Sequence, residues 1–173
     1  MNIAIAGPCG VGKSTIGAFF ARKSGLAFLD FDELRASEMS RKKSGFSPCS
    51  VSKLDLRACL PPILGSLTTE FILDIGGETV FRPNVDNDER REQVVWLKNN
   101  YLVSIVVLTA TPRILLQRFS ASKNRGPTEF DELWTSWKSI GEPYWLSCAD
   151  LVVDTTGKSA EDSVIEIEMG QKL

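Results

Sequence analysis

Short apolar runs alternate with longer stretches of helical period along the whole chain. Segments rich in Ile, Val and Leu at 2–6, 27–29, 70–74, 102–109 and 151–154 are predicted as strands. Between them the spacing of apolar positions predicts helices at about 13–24, 32–41, 52–67, 86–100, 112–119, 130–140 and 159–169. Short strands that alternate with longer helices indicate βαβ units and a parallel sheet covered on both faces. No internal repeat or linker interrupts the pattern, so 1–173 is read as a single domain. Two segments break the periodicity and are expected to be mobile. One is 41–51, where basic residues mix with Gly, Ser and Pro; the other is 120–128, SASKNRGPT. Ligand sites in such folds lie at the carboxyl ends of the strands, and the chemistry-bearing residues fall there.

The most specific of them follows the first strand directly. Gly7-Pro8-Cys9-Gly10-Val11-Gly12-Lys13-Ser14 fits G-x-x-x-x-G-K-[ST], between a strand and a helix. Glycines let successive backbone N–H groups turn inward around an anion, and the helix N-terminus adds partial positive charge. Gly7, Gly10, Val11, Gly12, Lys13, Ser14 and Thr15 are therefore the candidate nucleotide contacts, with Mg·ATP as the expected ligand. Lys13 is placed to reach the β- and γ-phosphates, and the Ser14 hydroxyl to ligate Mg²⁺. An N-K-x-D element would mark guanine specificity. The nearest candidates, around Asn99-Asn100 and Lys123-Asn124, do not supply it.

Composition narrows the chemistry. With a formal charge of −2 there is no basic excess to suggest nucleic acid as the main partner. No apolar run reaches the ~20 residues a membrane helix needs. The opening segment reads as a buried strand and not as a signal peptide, and a cytoplasmic location is the default expectation. The chain has no histidine, so a general base must be a carboxylate, a lysine or water. Cys9, Cys49, Cys59 and Cys148 are scattered without a C-x-x-C pair, which favours reduced structural thiols over a zinc site.

Asp30 and Asp32 end the second strand two residues apart, so in an extended chain they face the same side. One reading gives them metal and acceptor contacts; the other makes either one an N-cap for the next helix. Asp74 closes the apolar run Phe71-Ile72-Leu73, an arrangement that orients a metal-bound water or the P-loop serine. Gly76-Gly77 follows, where bare backbone permits close approach of a ligand. Arg118, after the fourth strand, and Arg125, in the aperiodic segment, are candidates for stabilising phosphoryl charge. Trp134, Trp137 and Trp145 cluster on the predicted acceptor side; core packing is the plainer explanation of their spacing.

These residues resemble the shikimate kinase family, within the nucleoside monophosphate kinase-like group of P-loop kinases, nearly end to end. GPCGVGKSTIGAFFARKSGLAFLDFDEL is similar to that family's opening, with P-loop, first helix and D-x-D at this spacing. The resemblance implies a five-stranded parallel sheet of order 2-3-1-4-5 with a short lid at about 119–131. It makes Asp30 the metal-proximal carboxylate and Asp32 the acceptor-binding one. Leu56-Arg57 sits where the family has Phe-Arg, making Arg57 the clamp for an acceptor carboxylate, and Gly76 and Gly77 fall in the acceptor loop. VVLTATPRILLQR matches the strand and helix that end in the nucleotide-contacting arginine, here Arg118. Arg125-Gly126-Pro127 takes the place of the lid's Arg-Pro, and ADLVVDT resembles the last strand, whose following turn at Thr155 borders the adenine.

The departures concern the acceptor. The family's triple glycine reads Gly76-Gly77-Glu78 here. The Arg-x-Pro-Leu-Tyr segment, whose arginine is a second carboxylate clamp, has become Gly141-Glu142-Pro143-Tyr144-Trp145. The expected activity is transfer of the γ-phosphoryl of ATP to a hydroxyl of a small metabolite at an altered acceptor site. Lys13, Asp32 and Arg125 would be catalytic, with Ser14, Asp30 and Asp74 on the metal side. A nucleoside or nucleotide kinase is the alternative enzyme, and a non-catalytic ATP-binding homologue the alternative class. Retention of Lys13, Asp32 and Arg125 together argues against the last, because binding alone needs only the cradle.

Overall fold

The computed structural model describes residues 2–34, 60–65, 67, 69–76, 87–123 and 126–171. Five strands, β1 (Asn2–Ala6), β2 (Ala27–Asp30), β3 (Phe71–Asp74), β4 (Val103–Thr109) and β5 (Leu151–Asp154), form one sheet in the order β2-β3-β1-β4-β5. Every pairing is parallel. This is the expected strand order.

Alternation along the strands divides the core in two. Ile3, Ile5, Ile72, Val106 and Leu108 face one layer, while Ala4, Ala6, Leu73, Ile105 and Val107 face the other. Successive side chains of a strand point to opposite faces, so apolar residues at every position require helices on both sides. The first layer is covered by α1 (Lys13–Ser24) through Ile16 and Phe20, and by α4 (Pro112–Lys123) through Leu115 and Phe119. Phe130 of α5 (Pro127–Ser136) and Val164 and Ile167 of α7 (Ala160–Gly170) complete it. The second layer holds Leu64 of α2 (Pro61–Leu64), Val94 and Leu97 of α3 (Asn87–Tyr101), Trp137, and Trp145 of α6 (Glu142–Cys148). Trp137 and Trp145 are buried in this layer, and Trp134 packs against both layers while stacking on Phe130. The tryptophans are core residues.

Two expectations from the pattern need correction. The segment 120–128 is expected to be an aperiodic connection, but α4 continues through 120–123 and α5 begins at Pro127, while 124 and 125 lie outside the described residues. Gly126-Pro127 is a helix start, because a proline at the first helical position wastes no hydrogen bond and its φ is already set. The single helix expected at 130–140 is instead α5, a wide π turn at Trp137–Gly141 and then α6, with Glu142 N–H bonded to the Trp137 carbonyl. Pro143 accounts for the wide turn: in an unbroken α-helix its ring would collide with the carbonyl four residues earlier. Residues 31–34 are helical as expected, while the rest of the helix at 32–41, most of that at 52–67 and the segment 41–51 lie outside the described residues. Among the described residues no helix is long and apolar enough to cross a membrane.

Candidate active site

The sheet order sets β1 between β3 and β4, so the loop leaving β1 lies beside the ends of both neighbours. Register places Asp74 opposite Ile5 on one side and Asp30 on the other. Asp30, Asp74 and the P-loop therefore share one edge of the sheet.

The loop at Gly7–Ser14 has the backbone its sequence requires. Gly10 and Gly12 have φ of 80° and 100°, a region that costs side-chain-bearing residues. Gly10 also lies against α4, where an added Cβ would stand 2.7 Å from the Leu115 carbonyl oxygen. Gly12 caps α1, no side chain of the described residues caps it in turn, and the first turn holds no acidic residue. The N–H groups of that turn thus remain available to an anion. Lys13 Nζ lies across the loop, donating to the carbonyls of Gly7 at 3.0 Å and Pro8 at 3.2 Å.

Ser14 Oγ donates to Asp74 Oδ2 at 2.6 Å. Asp74 is only 4% exposed, and its Oδ1 is buried without a hydrogen-bond partner among the described residues. Burial pushes the Asp74 carboxyl above the ordinary carboxylate value. The Lys13 ammonium and the Ser14 hydroxyl oppose this, while Asp30 and Asp32 reinforce it. A buried acceptor without a donor is costly unless something else satisfies it. Mg²⁺ in phosphoryl-transfer sites takes one or two protein oxygens and completes its shell with water and phosphate. The Ser14 hydroxyl beside the orphaned Asp74 oxygen fits such an ion. Among the described residues no three potential ligands converge as an all-protein cage.

Asp30 acts as a cap: its Oδ1 accepts from the backbone N–H of Asp32 at 2.9 Å and of Glu33 at 3.2 Å. Asp32 is exposed at the same edge. Capping and metal proximity are compatible for Asp30, since only one of its oxygens makes the cap. Thr15 lies exposed in the first turn of α1, and Gly76 follows β3 at the site edge. Arg57, Gly77, Glu78 and Arg125 lie outside the described residues.

Arg118 lies inside α4 rather than at its end. Its Nη1 donates to the Val11 carbonyl at 3.3 Å and to Thr155 Oγ1 at 3.0 Å, and its Nη2 to the Thr155 carbonyl at 3.0 Å. Thr155 is 1% exposed, and its hydroxyl also lies 3.2 Å from the Val11 carbonyl and 3.1 Å from the Thr109 carbonyl. The sequence marked Arg118 and Thr155 singly but not their junction with Val11. That junction uses a main-chain oxygen, which no residue pattern signals.

On the acceptor side, Gly141 is buried under the indole of Trp137, and an added Cβ would stand 2.6 Å from Trp137 Cε3. No longer side chain can leave the backbone here without moving a core tryptophan. Gly141→Ala should therefore reverse the usual helical preference for alanine, destabilising the protein by about 1–3 kcal/mol instead of stabilising it. Urea unfolding measures this, and an unchanged or raised midpoint would show that the indole yields freely. Cys148 is packed and its thiol is pushed up to about 11 by burial, which makes it chemically inert.

No family model matches the chain. A shikimate kinase of Geobacter sulfurreducens is 28% identical over 96% of this chain and 88% of its own length. Among solved structures, shikimate kinase from Acinetobacter baumannii in complex with shikimate superposes with a TM-score of 0.66. It is 25% identical, covering 97% of this chain and 90% of that one. Deoxyadenosine kinase from M. mycoides with bound dATP shares the fold at a TM-score of 0.61 and 19% identity, over all of both chains. The resemblance to shikimate kinases thus spans the chain, and the fold is that of P-loop kinases. Together these relatives indicate a P-loop kinase of shikimate kinase type.

Proposed function

We propose that this protein is a Mg·ATP-dependent kinase that phosphorylates a hydroxyl of a small metabolite, at an acceptor site altered from that of shikimate kinases. The observation that carries the reading is the Ser14–Asp74 contact at 2.6 Å, with the second Asp74 oxygen buried and, among the described residues, unpartnered beside a P-loop. Phosphoryl transfer needs little covalent work from the protein, so positioning and charge stabilisation are the residues' tasks. Gly7, Gly10, Val11, Gly12 and Thr15 supply backbone to the phosphates. Lys13 exchanges the Gly7 and Pro8 carbonyls for β- and γ-phosphate oxygens. Ser14 and Asp74, with Asp30 near them, would hold Mg²⁺, which when bound neutralises charge on those oxygens. Asp32 accepts a hydrogen bond from the acceptor hydroxyl and draws its proton as the hydroxyl attacks. Gly76 and Gly77 line the acceptor loop, and Arg125 stabilises charge on the transferring group.

The altered acceptor site rests on Gly141. Where the resemblance implies a second arginine clamp, this chain has a glycine closed over by Trp137, which leaves Arg57 as the clamp. A buried charge that lacks one partner commonly costs a few kcal/mol, about 10²-fold in affinity. Shikimate is therefore expected to be a poor acceptor. The test is ADP release with saturating Mg·ATP across hydroxy acids, sugars and nucleosides. Strong stimulation by one compound other than shikimate is the expected result. Efficient turnover of shikimate would overturn the altered site, and ATP binding without stimulation by any acceptor would overturn the kinase.

A further inference from the structure

We propose that Arg118 and Thr155 are positioning residues that set the orientation of the Val11–Gly12 peptide in the phosphate loop, and so act on the phosphates without touching them. The inference rests on the phosphate-binding reading of that loop. Three segments distant in sequence meet at the Val11 carbonyl: the Arg118 guanidinium from α4, the Thr155 hydroxyl after β5, and the P-loop itself. The guanidinium also grips Thr155 at both its hydroxyl and its carbonyl. Thr155 is tied in turn to the end of β4, its N–H donating to the Thr109 carbonyl at 2.8 Å. The clamp is therefore anchored to the sheet.

A trans peptide is planar, with its C=O and N–H pointing in opposite directions. Holding the Val11 carbonyl toward Arg118 and Thr155 thus turns the Gly12 N–H the other way, into the anion-binding face of the loop. Gly12, at φ 100°, has no Cβ to resist a flip of this peptide. A flipped peptide would present an oxygen to the phosphates in place of a donor. Local sterics alone leave both orientations open at a glycine, so the selection falls to the partners of the carbonyl. One of those bonds comes from a charged donor, the stronger kind.

The experiment compares Mg·ATP with magnesium tripolyphosphate, a probe that has phosphates and no base, by calorimetry at low temperature. Thr155→Val preserves shape and removes the hydroxyl; Arg118→Ala removes the guanidinium; Thr155→Ser keeps the hydroxyl. Thr155→Val and Arg118→Ala should weaken both ligands by the same factor, on the order of 10-fold or more, with Thr155→Ser close to wild type. Weakening of ATP alone would place Arg118 on the base and overturn the proposal. So would unchanged affinities accompanied by a lowered unfolding midpoint, which is what a merely structural role gives. Should Arg118→Ala fail to fold, the Thr155→Val and Thr155→Ser pair decides. Wild-type protein that binds neither ligand would instead remove the phosphate-loop reading itself.

Discussion

Lys13→Ala should lower turnover by about 10³-fold or more, the scale of losing a principal charge stabiliser in a phosphoryl-transfer site, while the fold survives. Lys13 Nζ makes its hydrogen bonds to two loop carbonyls, those of Gly7 and Pro8, at a part-buried position. These carbonyls can turn to water when the ammonium is removed. The loop itself stays pinned by Val11, which is buried, by Gly10 packed on α4, and by the Arg118–Thr155 clamp. Lys13→Arg should fail as well, since a planar guanidinium cannot replace a compact ammonium on the phosphates. Near-wild-type ADP release by Lys13→Ala, at an unchanged thermal midpoint, would remove the loop from the mechanism.

What the sequence made legible follows from how local each feature is. The P-loop was readable because its conformation is contained in one contiguous run: glycines where φ is positive, then Lys13 and Ser14 opening a helix. The strands were readable because buried parallel strands are apolar on both faces, and their ends put Asp30 and Asp74 at one edge. The capping of Asp32 and Glu33 by Asp30 was one of two open readings, and the backbone shows it. The features that escaped are non-local or depend on context. Gly126-Pro127 stops a chain in one setting and starts a helix in another, and only the continuation of helix on both sides decides. The wide turn at Trp137–Gly141 arises from Pro143 acting backward on its own helix, combined with an indole that must reach the core. Gly141 was legible as a departure from a family pattern, but its reason, the Trp137 ring above it, was not. The Arg118–Thr155–Val11 junction joins residues whose separation in sequence carries no periodic signal.

Asp74→Asn should separate stability from catalysis: activity falls by about 10²- to 10³-fold, the scale of removing a metal's charge-stabilising work, while the ligand-free protein becomes more thermally stable. The sign follows from the environment. Burial raises the Asp74 carboxyl above its unfolded value, with Asp30 and Asp32 adding to the shift and with Lys13 and Ser14 unable to cancel it. A carboxyl raised on folding binds its proton more tightly in the native state than in the unfolded one. The contribution of Asp74 to stability is therefore greatest below the ordinary aspartate value and declines as pH rises from there through the raised native value, after which it levels off. Ionised, the side chain has one buried oxygen without a partner among the described residues, a cost that asparagine does not carry as charge. The unfolding midpoint of Asp74→Asn should accordingly exceed that of wild type at pH 7, and the gap should close toward the acid end of that window. Mg²⁺ with nucleotide should reverse the order, stabilising wild type by mass action and the variant much less. Thermal unfolding across pH, with and without Mg·ATP, measures all of this. A variant less stable than wild type at pH 7 without ligand would mean that the Ser14–Asp74 bond outweighs the burial of the charge. Equal stabilisation of both proteins by Mg·ATP would take Asp74 out of the metal's shell.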